Sequence, residues 1–146
     1  MTRPDPSTTA LAFDYGRRRI GVASGNALTG SAAPLATVAH GEHEADWPAI
    51  ERLVATYKPT VLVVGTPYND DGTPGALAAE ATRFAATLAQ RCGLPVERVD
   101  EGWSSREASA ELRTRRAAGT RRRKVQRADI DSLAAAIILE RWLRGE

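Results

Sequence analysis

The chain has 146 residues, a formal net charge of +2 and 42% hydrophobic residues, a size and composition typical of one globular domain. Its single cysteine, Cys92, excludes an intramolecular disulfide and a cysteine-built zinc site, and it suits a reducing cytoplasm. No apolar run approaches the roughly 20 residues of a membrane-spanning helix, so we expect no contact with a membrane.

The positive charge is concentrated in one segment, residues 113–127. This segment holds eight basic residues and no acidic one, so the rest of the chain is net acidic. The eight are Arg113, Arg115, Arg116, Arg121, Arg122, Arg123, Lys124 and Arg127. A basic segment on an acidic body indicates contact with a polyanion. The same composition also fits a solvated loop with no partner, and the segment alone does not decide between the two.

The first half of the chain predicts three strands and one helix. Residues 1–9 contain Pro4 and Pro6 and lack the apolar core of a signal peptide, so we expect a flexible tail there. Strands are predicted at residues 10–14, 20–25 and 33–38, the last at a sheet edge because Pro34 lies near its start. A helix should begin after Asp46, a suitable N-cap, and end at Pro59.

The second half alternates strands and helices. We expect strands at residues 61–64 and 94–99, separated by a polar loop (65–75) and a helix (76–92) that Gly93 ends. Helices are predicted at 104–118, where Ser104 and Glu107 form a capping box, and at 129–143. The order predicts an α/β fold over residues 10–146, as a single domain. Its five-stranded mixed sheet would have an antiparallel meander of three strands, further parallel strands, and helices on both faces.

Four acidic residues lie where such a fold gathers ligands. Asp14 ends the first strand and Glu101 follows the last, and ligands collect at the carboxyl ends of the strands of an open α/β sheet. Asp129 and Asp131 begin the last helix, where they could also simply stabilise its positive end. Asp129 is the better N-cap candidate, which leaves Asp131 free to point at the sheet.

Three carboxylates in one place repel one another, and a divalent cation removes that conflict. Oxygen ligands suit Mg²⁺ or Mn²⁺, ions that support phosphodiester hydrolysis in two-metal sites. No competing catalytic motif is visible: the chain has no Walker A sequence and no nucleophile elbow. His40 and His43 have no partners at zinc spacing, so we expect both at the surface.

At these positions the chain resembles the YqgF/RuvX-like family of the ribonuclease-H-like superfamily. Four blocks carry the resemblance: AFDYGRRRIGVA (12–23), VVGTPYNDDGT (63–73), VDEGWSS (99–105) and DSLAAAIILERWL (131–143). Members are described as resolvases of Holliday junctions and as nucleases that mature the 5′ end of pre-16S ribosomal RNA. The resemblance implies a ribonuclease-H-like fold with Asp14, Glu101 and Asp131 as catalytic metal ligands. It supplies no counterpart for Asp129, which is a capping or accessory acid.

The chain departs from the family pattern in two places. The third block commonly reads Asp-Glu-Arg, and Gly102 here removes a cation beside the acids. A lysine usually follows the first glycine of the opening block, where this chain has Arg17, Arg18 and Arg19. Positive charge is kept there, although arginine and lysine contact phosphate differently.

These observations predict a metal-dependent nuclease with Mg²⁺ or Mn²⁺. Arg17, Arg18, Arg19 and the basic segment would neutralise phosphates, and backbone amides near Asn69 and Thr73 would add contacts. Trp103 could stack on a base, but packing under the last helices is the favoured interpretation. The resemblance alone makes pre-ribosomal RNA the first substrate hypothesis. A four-way DNA junction is the second, and it would require a homodimer to make two symmetric cuts.

Two other classes stay open. A non-catalytic nucleic-acid-binding protein would keep the fold without the reaction, and Gly102 gives that alternative some support. An actin-like ATPase also opens with Asp-x-Gly on a hairpin, but the small size of this chain argues against it.

Overall fold

The computed structural model of the chain describes residues 4–16, 18–40, 45–67, 77–101 and 127–145. Within them lie five strands and three helices. The strands are β1 (Thr9–Asp14), β2 (Arg19–Asn26), β3 (Ser31–Ala39), β4 (Val61–Pro67) and β5 (Val96–Glu101), and the helices are α1 (Trp47–Tyr57), α2 (Ala78–Cys92) and α3 (Arg127–Leu143). None of these helices is long and apolar enough to cross a membrane.

The strands form one sheet in the order β3-β2-β1-β4-β5. β3, β2 and β1 are antiparallel neighbours, whereas β1, β4 and β5 run parallel. The predicted five-stranded mixed sheet is therefore confirmed. Because parallel strands end at the same edge, the carboxyl ends of β1, β4 and β5 share one edge of the sheet.

Helices cover both faces of this sheet, as predicted, and the alternation of side chains along β1 decides what each face receives. Leu11 and Phe13 point to the face covered by α1 and α2. Ala10 and Ala12 point to the opposite face, against α3. The second face carries small residues on β1, which lets α3 pack close to the strands.

Local signals explain the ends of α1 and α2. The Asp46 carboxylate accepts a hydrogen bond from the Ala49 N–H at 3.2 Å, so the predicted N-cap is confirmed,. Lys58 ends α1 with a left-handed backbone (φ 47°), directly before Pro59. Gly93 ends α2 in the same conformation (φ 64°), as its position predicted,.

Several boundaries differ from the prediction. β3 is longer than expected and contains Pro34, which an edge strand tolerates,. α3 begins at Arg127, two residues early, because arginine and alanine favour the helix,. Asp129 consequently lies inside the first turn and is not the N-cap. The predicted helix at residues 104–118 and most of the predicted loop at residues 65–75 lie outside the described residues.

The chain before β1 is held at two points. The Thr8 N–H donates to the Asp5 carbonyl at 2.9 Å, and the Thr8 carbonyl accepts from the Ala27 N–H at 2.9 Å. The Asp5 side chain also accepts from the Ser7 N–H at 2.8 Å. Of the segment predicted as a tail, at least Asp5 to Thr8 follows a hydrogen-bonded turn.

Candidate active site

Asp14 is the last residue of β1 and lies on the sheet face that α3 covers. Its two neighbours across the sheet are glycines: Gly21 of β2 and Gly65 of β4. Burial of its carboxylate, together with the negative charge of Asp131, raises the pKa of Asp14 to about 7,. The side chain at the centre of the predicted site is therefore an acid that ionises with difficulty in the absence of a cation.

Asp131 reaches the same place from α3 because the helix lies directly on β2. A Cβ atom at Gly21 would overlap the Asp131 carbonyl oxygen and would come within 2.9 Å of the Ser132 nitrogen. A Cβ atom at Gly65 would come within 2.6 Å of Ile138 Cδ1. Glycine on the two strands beside Asp14 is thus what permits the helix to approach and the two carboxylates to interact.

Asp131 forms an ion pair with Arg19, the first residue of β2. The guanidinium Nε donates to Asp131 Oδ2 at 2.7 Å, and the two side chains are 33% and 21% exposed. Arg19 was predicted as a phosphate contact. In the structure its guanidinium is engaged with one of the predicted metal ligands, so the positive charge lies inside the carboxylate site.

The turn between β1 and β2 is held by the residue that follows β3, His40. Its backbone N–H donates to the Arg18 carbonyl at 2.9 Å. Its ring Nδ1 lies 2.8 Å from the Gly16 carbonyl, which can only accept, so Nδ1 is the donor,. The ring also packs edge-on against Tyr15 with a centroid separation of 5.2 Å. His40 is therefore half-buried and structural, unlike the surface position expected for it, whereas His43 lies outside the described residues.

Glu101 ends β5 at the same sheet edge. In the strand register Asp14 pairs with Gly65, and Gly65 pairs with Val99 of β5. Glu101 lies two residues beyond Val99 on β5, opposite Pro67. Two strand spacings of about 4.8 Å separate β5 from β1. The fold thus brings the backbones of all three predicted acids to one end of the sheet. Of their side chains, the structure describes those of Asp14 and Asp131.

The other predicted contact residues divide by location. Arg18 is exposed in the turn beside the site. Asp129 and Arg127 lie in the first turn of α3. The rest lie outside the described residues: Arg17, Asn69, Thr73, Gly102, Trp103, Arg113, Arg115, Arg116, Arg121, Arg122, Arg123 and Lys124.

The chemistry of the described donors fits a hard divalent cation. Asp14 and Asp131 offer carboxylate oxygens, which Mg²⁺ and Mn²⁺ prefer, and a cation would relieve the repulsion that raises the pKa of Asp14,. No group of three potential metal-binding side chains occurs among the residues the structure describes. Asp14 and Asp131 are two of the three predicted metal ligands, and the side chain of the third, Glu101, lies outside what the structure describes.

Sequence reasoning missed the Arg19–Asp131 pair, the structural use of His40 and the role of the two glycines. The pair joins residues 112 positions apart, and no local pattern records such a contact. The glycines did carry a signal, because glycine inside a strand often marks close approach of another backbone.

The fold has relatives among solved structures. The structure of the RuvC protein of T. thermophilus in complex with a Holliday junction substrate superimposes with a TM-score of 0.53, covering 94% of each chain at 17% sequence identity. A second T. thermophilus RuvC structure gives a TM-score of 0.52 at 15% identity. At such identities the likeness establishes the shared fold, which is the ribonuclease-H-like fold expected from the sequence.

Sequence comparison identifies closer relatives. A protein of Paraburkholderia xenovorans strain LB400, named "Putative pre-16S rRNA nuclease", is 47% identical over 137 residues, covering 94% of this chain and 88% of its own. A protein of the same name from Pseudomonas putida KT2440 is 42% identical, covering 92% and 94%. The family model RuvX, described as Holliday junction resolvase, matches residues 8–145. The chain therefore belongs to the RuvX family.

Proposed function

We propose that this protein is a divalent-metal-dependent nuclease that processes the 5′ end of pre-16S ribosomal RNA during ribosome biogenesis. The observation that carries the proposal is the pairing of Asp14 and Asp131 at the carboxyl edge of the sheet, where burial and mutual repulsion raise the pKa of Asp14 to about 7,. The proposed substrate is taken from the names of two relatives that are 47% and 42% identical to this chain over the aligned residues. The single unpaired cysteine suits action in the cytoplasm,.

In this proposal Asp14, Asp131 and Glu101 hold Mg²⁺ or Mn²⁺. A bound divalent cation supplies a water molecule of lowered pKa and stabilises the leaving oxygen of a phosphodiester. Asp14 contributes from a strand and Asp131 from a helix, and both backbones are fixed, so the carboxylates are positioned before substrate arrives. Glu101 is proposed as the third ligand because its backbone ends β5 at the same edge. Asp129 is proposed as an accessory acid.

The nucleic acid would approach over the sheet edge that carries these acids. Arg18 is exposed beside Asp14 and is placed to contact a flanking phosphate. Arg17, the basic segment and the backbone near Asn69 and Thr73 are proposed as further phosphate contacts, which would make binding strongly salt-dependent.

The second candidate function is cleavage of four-way DNA junctions in recombination, which the description of the RuvX family favours. Resolution of a junction needs two symmetric cuts and therefore two active sites related by a two-fold axis. This candidate requires a homodimer, whereas trimming of an RNA end requires only one site.

A cleavage panel tests the proposal and separates its alternatives. Purified full-length protein would be offered pre-16S RNA ends, four-way junctions and plain single strands, each with Mg²⁺, Mn²⁺ or EDTA. We expect metal-dependent cleavage of the RNA ends, and we expect Asp14→Asn to reduce it at least about 100-fold because a metal ligand is lost. The same variant should still bind the RNA.

Three outcomes would contradict the proposal. Binding without cleavage in any metal would favour the non-catalytic alternative, and preferential cutting of junctions by a dimer would favour the resolvase. Equal cutting of all three substrates would exclude a structure-specific function. Asp46→Asn, at the N-cap of α1 where the side chain accepts from the Ala49 N–H, serves as a matched carboxylate-to-amide control and should cleave normally, since asparagine caps helices as well as aspartate does,.

A further inference from the structure

The Arg19–Asp131 pair places a positive side chain on a predicted metal ligand. The described contact is a single hydrogen bond from Nε to Oδ2, 2.7 Å long. A guanidinium has five N–H donors in a planar fork, so this bond uses one of them. Both side chains keep solvent access, with exposures of 33% and 21%.

Backbone contacts on both sides hold the two partners together. Arg19 lies two residues before Gly21 on β2 and therefore on the face that α3 covers,. The carbonyl of the preceding residue, Arg18, accepts from the His40 N–H at 2.9 Å, which fixes the start of the strand. On the helix side, the Asp131 backbone lies against Gly21. The pair is therefore a feature of the fold rather than an encounter of two mobile surface chains.

The charge balance of the site explains why an arginine is useful there. Two nearby carboxylates destabilise each other, and burial makes ionisation of Asp14 still harder,. A guanidinium on Asp131 offsets part of this repulsion when no metal is bound. The same carboxylate is then needed as a metal ligand, and a divalent cation competes with the guanidinium for its oxygens.

We propose that Arg19 is an exchangeable counter-ion: it neutralises Asp131 in the metal-free protein, and it turns to the scissile phosphate when Asp131 binds a divalent cation. This inference rests on the proposed nuclease function. A partly exposed ion pair is weak enough to exchange. The released guanidinium is well suited to phosphate, since its fork matches phosphate oxygens and it stays charged at every working pH.

The exchange predicts that metal and Arg19 compete, which can be measured without any substrate. Mn²⁺ would be titrated by calorimetry into wild-type protein, Arg19→Gln, Arg19→Lys and Arg18→Gln. We expect Arg19→Gln to bind Mn²⁺ about 5- to 10-fold more tightly, because its competitor is gone. Arg18→Gln removes the same charge from the adjacent residue without touching Asp131, and we expect a change below about 2-fold since exposed charges are screened. Arg19→Lys keeps the charge and should stay near wild type.

The exchange can also be followed in the unmodified protein. The Arg19 Nε–H signal in a ¹⁵N NMR spectrum, assigned by its loss in Arg19→Lys, should move towards the position of solvated arginine as diamagnetic Mg²⁺ saturates the site. This measurement does not depend on whether Arg19→Gln folds well.

Cleavage completes the test. At saturating Mn²⁺ we expect Arg19→Gln to lower kcat about 10- to 100-fold, a size typical of losing one charged contact to the reacting group. Tighter metal binding combined with slower cleavage is a result that a merely structural ion pair would not produce.

Each failure has a distinct meaning. Mn²⁺ binding in Arg19→Gln that is unchanged, weaker or equal to that of Arg18→Gln would overturn the exchange, as would an Arg19 Nε–H signal that Mg²⁺ leaves in place. Wild-type cleavage rates in Arg19→Gln would overturn the phosphate contact. A wild-type protein that binds no divalent metal would contradict the proposed function itself.

Discussion

At the scale of single residues, the stability of the folded chain conflicts with the function proposed for Asp14. An acid whose pKa is raised is more easily ionised in the unfolded chain than in the folded one, so the folded protein loses stability wherever the acid is charged. Burial and the charge of Asp131 raise the pKa of Asp14 from 3.8 to about 7. Such a cost is expected at a site arranged to bind a cation rather than to be stable without one.

This cost predicts how Asp14→Asn changes stability in the absence of metal. Below about pH 3.8 Asp14 is protonated in both states and the substitution should change little. Between pH 3.8 and 7 the unfolded chain releases the proton first, so the wild type loses stability progressively, and above pH 7 the penalty is constant,. We expect Asp14→Asn to be more stable than wild type by a few kcal/mol at pH 8, as measured by urea unfolding in EDTA from pH 4 to 8.

A matched substitution gives the opposite sign. Hydrogen bonds from the Ser7 backbone and side chain lower the pKa of Asp5, so Asp5→Asn should leave the protein slightly less stable above pH 4. An Asp14→Asn protein that is less stable than wild type in EDTA at pH 8 would contradict the interpretation of Asp14.

Residue identities at the site were predictable only in part. Asp14 and Asp131 were found from their positions at element ends and from the family resemblance. The ion pair between Arg19 and Asp131 could not be predicted from the sequence. An arginine in a turn is expected to be a surface charge, and only the position of the helix that carries Asp131 shows otherwise,.

At the scale of elements, the critical contact is the one between β2 and the start of α3. Helix α3 is buried from Ser132 to Leu139, so it packs as a core element and not as a surface helix,. Its distance from the sheet is set by Gly21, where the strand meets helix backbone, and by Gly65, where the strand meets the side chain of Ile138. A backbone contact cannot yield, whereas the end of an isoleucine side chain can rotate.

Gly21→Ala and Gly65→Ala should therefore have graded effects. We expect Gly21→Ala to push the start of α3 away from β2, to cost at least about 2 kcal/mol of stability and to weaken Mn²⁺ binding about 10-fold or more, because Asp131 moves with the helix. Gly65→Ala should cost less, since Ile138 can adjust,. Thermal unfolding in EDTA and Mn²⁺ calorimetry measure the two effects separately.

Gly93→Ala is the control for these two variants. Gly93 has a left-handed backbone (φ 64°), and a Cβ atom added there would meet nothing within 4 Å. Alanine at this position should therefore cost about 1 kcal/mol through backbone strain and leave Mn²⁺ binding unchanged. Equal Mn²⁺ affinity in Gly21→Ala and Gly93→Ala would contradict the role assigned to the close approach of α3.

Elements were more predictable than their contacts. Asp46 and Gly93 mark helix ends by side-chain chemistry and backbone freedom, which are local properties. The predicted start of α3 was residue 129, two residues after its actual start at Arg127, because the basic residues before residue 129 fit a linker equally well. Pro34 correctly predicted that β3 is an edge strand, but the full length of β3 was not predicted.

At the scale of the whole molecule, the sequence predicted the order of the elements that the structure describes, the mixed sheet and the covering of both faces. Strand pairing follows from general rules for hairpins and right-handed crossovers, so the topology needed no knowledge of tertiary contacts. The closeness of Asp14 to Asp131 could not be predicted without knowledge of tertiary contacts, because that distance depends on how a long helix crosses the sheet.

The distribution of charge over the molecule leads to the last prediction. Helices α1 and α2 cover the face opposite Asp14 and carry exposed basic residues of their own, among them Arg52 and Arg83, with Lys58 just after α1. If nucleic acid binds at the carboxylate edge through the basic segment, charges in that segment should contribute to the salt dependence of binding, and charges on the opposite face should not.

Two triple variants with equal charge loss compare the two locations. Arg121→Gln, Arg122→Gln and Arg123→Gln together should reduce the slope of log K against log salt by about 2 to 3, because each phosphate contact contributes about 0.7 to 0.9. Arg52→Gln, Lys58→Gln and Arg83→Gln together should change the slope by less than about 1, since long-range charge effects are screened. Filter binding of RNA between about 50 and 300 mM salt, in EDTA to prevent cleavage, measures both. Equal slopes for the two variants would show that the basic segment acts only through net charge, and would remove it from the proposed nucleic-acid interface.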